Sequence, residues 1–167
     1  MRLHSKETVK HESEKDLVAE VAQLVLRDAA PDELVIFDEV AEEYFRNPKK
    51  ALSRQQRDEA VGFGLDEILL IPYVLDIVTV VLTSLASFVT DTALGVAEPK
   101  FRQFIRRLFR LGSDTSSKTD DADKELSREQ IRLIRKTSYD RAIELGLDED
   151  RASILADSIV GKMVATG

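Results

Sequence analysis

Apolar side chains recur at three- and four-residue intervals along most of the chain, and no stretch alternates in the two-residue rhythm of a half-buried strand, so the pattern predicts an all-α fold. Ser13, with Asp16 three residues on, opens a first helix whose Leu17, Val21, Leu24 and Val25 share one face and which closes near Ala30. Residues 1–12 precede it as a polar, flexible arm. Pro31 suits the first turn of a second helix, with Asp32 and Glu33 at its positive end. Leu34, Phe37, Ala41, Tyr44 and Phe45 follow at helical spacing until Asn47-Pro48. A short polar helix over 48–61 then ends at Gly62-Phe63-Gly64, where Gly62 and Gly64 are hinge candidates because glycine readily takes the left-handed conformation of helix ends.

The middle of the chain departs from this amphipathic rhythm. Residues 68–90, ILLIPYVLDIVTVVLTSLASFVT, are apolar around almost the whole helical circumference and sit in a helix expected over 67–97, opened by Asp66 or Glu67. Within it Asp76, Thr79, Thr83, Ser87 and Thr90 are spaced by three or four, so these five fall in one narrow stripe. Glu98-Pro99 divides this segment from an amphipathic helix over 99–111. There Phe101, Phe104, Ile105, Leu108 and Phe109 face one way and Lys100, Arg102, Arg106, Arg107 and Arg110 the other, until Gly112 closes it.

The helical body thus covers 13–112. Residues 113–126, rich in Ser, Asp and Lys, form a flexible linker. Beyond it, Ser127 and Gln130 make a capping box, Ile131, Ile134 and Ile143 mark a helix ending at Gly146, and Asp148 caps a last helix with the stripe Ala152, Leu155, Ile159, Met163. Residues 127–167 therefore read as a helical hairpin, too small to be stable alone, that docks on the body or on a partner.

Charge sharpens the picture. The chain of 167 residues carries a net charge of −7, yet residues 61–97 hold no Lys or Arg and residues 98–112 hold five with a single Glu. An acidic protein with one short basic block lacks the broad positive footprint that phosphate neutralisation needs, so nucleic acid is not an expected partner. The start, MRLHSKETVKHESEKD, has neither the apolar core of a secretory signal nor the acid-poor composition of a transit peptide, which points to the cytoplasm or its membrane face.

The chain has no Cys and only two His, His4 and His11, so thiol chemistry, disulfides and His-based triads or zinc cages are not expected. Asp38, Glu39, Glu42 and Glu43 cluster on the second helix, but without a helical His partner they read as a solvated acidic face and not as a carboxylate metal site. No catalytic, cofactor-binding or metal-ligating residue is assigned.

What remains is the apolar segment. Twenty-three residues at about 1.5 Å each cover roughly 35 Å, enough for a hydrocarbon core of about 30 Å. Its Leu, Ile, Val and Phe residues favour insertion by about 4 to 8 kcal/mol, and Asp76 opposes by about 2.5 to 3.5 kcal/mol. The leading expectation is a non-enzymatic protein at the cytoplasmic membrane. In it the stripe Asp76, Thr79, Thr83, Ser87, Thr90 makes helix contacts or lines a pore, the basic set Lys100, Arg102, Arg106, Arg107, Arg110 meets anionic lipid, and the flanks recruit a protein partner or a second copy. The alternative is a soluble helical adaptor whose apolar helix is its core and whose stripe, Asp76 included, is the solvent-facing seam.

Overall fold

The computed structural model describes residues 3–53, 68–89, 99–111 and 126–164. All regular structure there is helical, with no strand among the described residues. Helix α1 runs Leu3–Ala29, a 3-10 segment covers Pro31–Ile36, and α2 follows directly over Phe37–Arg46. After a helical stretch at 48–53 come α3 (Ile71–Val89), α4 (Pro99–Leu108), α5 (Arg128–Glu144) and α6 (Glu149–Val164).

Helix α3 contributes many of the buried side chains of the core. It packs against α1, α2 and α5, while α6 lies against α5 and α1. Nearly half of its nineteen residues are β-branched, types that lose side-chain freedom in a helix. Its helical state therefore rests on burial. Ile71, Tyr73, Val74, Leu75, Ile77, Val78, Val81, Leu82 and Leu85 are almost wholly withdrawn from solvent, each contributing about 1.5 to 3 kcal/mol relative to exposure. Around them sit Leu17, Val21 and Val25 of α1, Phe37, Ala41 and Tyr44 of α2, and Leu155, Ile159 and Met163 of α6. Among the described residues no helix is long and apolar enough to cross a membrane.

Several boundaries differ from the sequence reading. Helix α1 begins at Leu3, so Ser13 and Asp16 lie inside it and residues 3–12, expected as an arm, continue the same helix. Their Lys and Glu residues are strong helix formers, a propensity that the apparent cap at Ser13 conceals. Pro31 opens a 3-10 segment, and the α-helix starts only at Phe37. Ile143, one of the apolar residues expected to mark α5, is 39% exposed, and the buried stripe is Ile134, Ser138 and Ala142. The hinge candidates Gly62 and Gly64, Thr90, most of the polar helix expected over 48–61, the ends of the apolar helix expected over 67–97, and all but the last residue of the linker over 113–126 lie outside the described residues.

Local signals in the C-terminal hairpin hold. Ser127 Oγ accepts from the Gln130 amide at 3.1 Å and Gln130 Oε1 accepts from the Ser127 amide at 2.9 Å, a reciprocal capping box. Asp148 Oδ1 accepts from the Arg151 amide at 2.8 Å at the start of α6. Between the helices Gly146 adopts φ 96°, and the Leu147 amide reaches back to the Ala142 carbonyl at 3.0 Å, closing α5 in a Schellman turn. The same turn closes α4 without a glycine. Arg110 takes φ 50°, with the Leu111 amide donating to the Arg106 carbonyl at 2.8 Å.

Candidate functional site

Three helices bring one polar residue each into a cluster at the edge of the core: Tyr44 from α2, Asp76 from α3 and Arg141 from α5. Arg141 Nε donates to Asp76 Oδ2 at 2.9 Å and Nη2 donates to Oδ1 at 3.3 Å, the two-pronged geometry in which a guanidinium matches a carboxylate. Tyr44 donates its hydroxyl to Asp76 Oδ1 at 3.4 Å, a long contact. Arg141 also donates to Glu144 Oε2 at 3.0 Å on its own helix.

The electrostatics follow from that placement. Burial, and then the adjacent Asp76 charge, push the Tyr44 phenol well above its ordinary value, so it remains a hydrogen-bond donor. Hydrogen bonding to Asp76 raises Arg141 further above an already high value. The cluster is thus a neutralised ion pair with a fixed phenol beside it. It joins the hairpin to the body.

A second carboxylate governs the start of α3. Both oxygens of Glu33, in the 3-10 segment, accept from the Leu70 amide at 2.9 Å, and Oε2 accepts from the Ile71 amide at 3.0 Å. Pro72 has no amide hydrogen to offer, so Glu33 meets donors that the helix start would otherwise leave unpaired. Burial raises the Glu33 pKa from 4.5, against the lowering effect of those two amides.

The expected polar stripe divides in two. Thr79, Thr83 and Ser87 are exposed, and their hydroxyls donate to their own helix, at the carbonyls of Leu75 (2.8 Å), Thr79 (2.8 Å) and Ser84 (2.6 Å). Asp76 does not share that seam. It is only 9% exposed beneath Arg141 and Tyr44, a correction to the reading that placed it in solvent.

The basic helix also divides by face. Phe101, Ile105 and Phe109 are buried in the core, with Phe104 and Leu108 packed partly against it, so the apolar face of α4 is occupied within the protein. Lys100, Arg107 and Arg110 are exposed, while Arg102 and Arg106 are half-buried and Arg106 pairs with Glu20 of α1 at 3.2 Å. On α2 the acidic cluster borders an open surface groove with Arg46 and Lys50, and Glu42 pairs with Arg46 at 2.9 Å. Among the described residues no group of three or more His, Asp or Glu side chains is arranged to hold a metal ion.

The sequence reading missed Arg141, Glu33 and the polar role of Tyr44. A lone carboxylate in a run of aliphatics signals that a partner exists, but nothing local selects that partner from 24 basic residues, and Arg141 lies 65 positions downstream. Compared with known proteins, the chain matches no family model, no curated protein and no solved structure.

Proposed function

We propose that this protein is a non-enzymatic helical interaction module in which the apolar helix α3 is the core and the C-terminal hairpin is the element that meets partners. The fate of Asp76 carries the reading. A helix destined for lipid faces its carboxylate toward another spanning helix or a water-filled path. Here the carboxylate is held by an arginine from a capped amphipathic helix, and the aliphatics around it are covered by α1, α2 and the hairpin. That is the arrangement of a bundle core with one buried ion pair. Exposed aliphatics at Leu133 and Ile154, on the outer side of the hairpin, support its role in contacts with other proteins.

A second reading, attachment to an anionic membrane surface, is favoured by the outward basic face of α4 at Lys100, Arg107 and Arg110. Fractionation of the full chain, expressed without a solubilising fusion, separates the two. The interaction module is expected in the supernatant and monodisperse without detergent by light scattering. Pelleting that high salt alone reverses would favour the surface reading. Retention through high-salt and alkaline-carbonate washes would refute the core role of α3.

A further inference from the structure

Two ion pairs among the described residues join the hairpin to the body, and both have the same polarity. The carboxylates, Asp76 and Asp28, belong to the body; the cations, Arg141 and Lys162, belong to the hairpin, with Lys162 Nζ 2.7 Å from Asp28 Oδ2. The hairpin is also self-sufficient at its helix ends. Ser127 and Gln130 cap α5, Gly146 closes it and Asp148 caps α6, each of these from within the hairpin. Among the described residues the body's Asp76 takes its cation from the hairpin.

The face of α5 turned inward has a definite chemistry. Ile134, Ser138 and Ala142 recur every four residues, two of them small, and Arg141 stands beside Ala142. Ser138 is fully buried with its hydroxyl returned to the Ile134 carbonyl at 2.8 Å, so it asks nothing of the body except room for close approach. The buried face of α5 thus carries small side chains at four-residue intervals and, beside them, one arginine that is held by both oxygens of Asp76 with the Tyr44 hydroxyl alongside.

We propose that the groove of the body occupied by α5 is a helix-binding site held shut by the chain's own hairpin, and that the partner it fits is an amphipathic helix presenting one arginine to Asp76 between small apolar side chains. The inference rests on the reading of the protein as an interaction module and adds to the hairpin's outer face a second partner site, the groove beneath the hairpin. The tethered hairpin competes at high effective concentration, so an outside helix gains access when the hairpin's own cations are weakened. Both fastening pairs carry their acid on the body, so an incoming cationic helix finds the acceptors intact.

The test uses the full-length protein and a dye-labelled synthetic peptide of residues 126–164, followed by fluorescence anisotropy. Arg141→Gln in the full chain is expected to raise peptide affinity by about tenfold or more over wild type, a change of roughly 1.4 kcal/mol or more. A peptide that itself carries Arg141→Gln is expected to lose most of that binding, and added salt to weaken the native peptide. Lys162→Gln, which loosens the half-exposed outer pair, is the second variant should Arg141→Gln unfold, and hydrogen exchange confirms that α1 and α3 stay protected in whichever variant is used. Equal affinity of the native peptide for wild type and a folded variant, or no uptake by that variant, would overturn the proposal. So would a stable wild-type dimer with exchanged hairpins, which would give the groove to a second copy. Recovery of the chain in the membrane fraction would instead defeat the underlying reading, an outcome distinct from a monodisperse chain that takes up no peptide.

Discussion

Truncating Arg141 to Ala tests the central ion pair directly. The Asp76 side chain is 13% exposed and that of Arg141 34%, so the two ends of the pair differ in how easily water replaces the lost partner. Removing one member of a fully buried pair costs about 3 to 5 kcal/mol, most of it the stranded charge. Because Arg141 reaches solvent, some water will follow into the space it leaves, and an expected loss of about 2 to 3 kcal/mol is the reasonable discount. With a urea m-value of about 2 kcal/mol/M for a domain of this size, the unfolding midpoint should fall by about 1 to 1.5 M. The converse change, Asp76→Asn, leaves Arg141 free to turn outward and be hydrated while the amide oxygen still accepts a hydrogen bond, so its cost should be lower, about 1 kcal/mol. Urea denaturation followed by far-UV circular dichroism at neutral pH measures both. A loss below about 0.5 kcal/mol for Arg141→Ala, or a larger loss for Asp76→Asn, would refute the argument that an unpaired carboxylate at the edge of the core is what the arginine prevents.

Three further predictions use other parts of the fold. Gly146→Ala should cost about 1 to 2 kcal/mol in the same assay, because φ 96° burdens any residue with a Cβ. Arg110→Gly should have the opposite sign, raising stability by about 1 kcal/mol by relieving φ 50° at the end of α4; an unchanged midpoint would show that the Arg110 side chain compensates there. Glu33 sets a pH dependence: its folded pKa lies above 4.5, so the unfolded chain releases the proton first and this group's contribution to stability falls as pH rises from about 4.5 to the raised folded value, then levels. Stability of wild type minus that of Glu33→Gln, measured across that window, should therefore decline with pH; a rise would mean that the Leu70 and Ile71 amides outweigh burial.

Elements whose cause is local were legible in the sequence. The Ser127–Gln130 box, the Gly146 turn and the Asp148 cap each depend on residues within three to five positions, and each stands where spacing put it. The stripe Ala152, Leu155, Ile159, Met163 is buried as its period demanded. The polar cluster was not legible for the converse reason. Periodicity assigns Asp76 to a face shared with Thr79 and Thr83, but whether that face meets water is decided one turn at a time by what another helix lays over it. Helix α3 likewise takes its N-terminal acceptor from Glu33, 37 residues upstream of Leu70, where the sequence offered Asp66 and Glu67 close at hand. The end of α4 was misread because an arginine stands in the conformation usually left to glycine.

The order in which the chain is made bears on the Asp76–Arg141 pair. Glu33 and Tyr44 precede α3 during synthesis and are present when it emerges, whereas Arg141 follows Asp76 by 65 residues. At about 5 to 20 residues per second the ribosome needs roughly 3 to 13 s to supply it. For that interval the nascent chain carries an aliphatic helix with its start secured and its single carboxylate unanswered. The charge that the finished protein must neutralise is, in the unfinished one, the feature that makes the emerging segment a poorer substrate for membrane insertion.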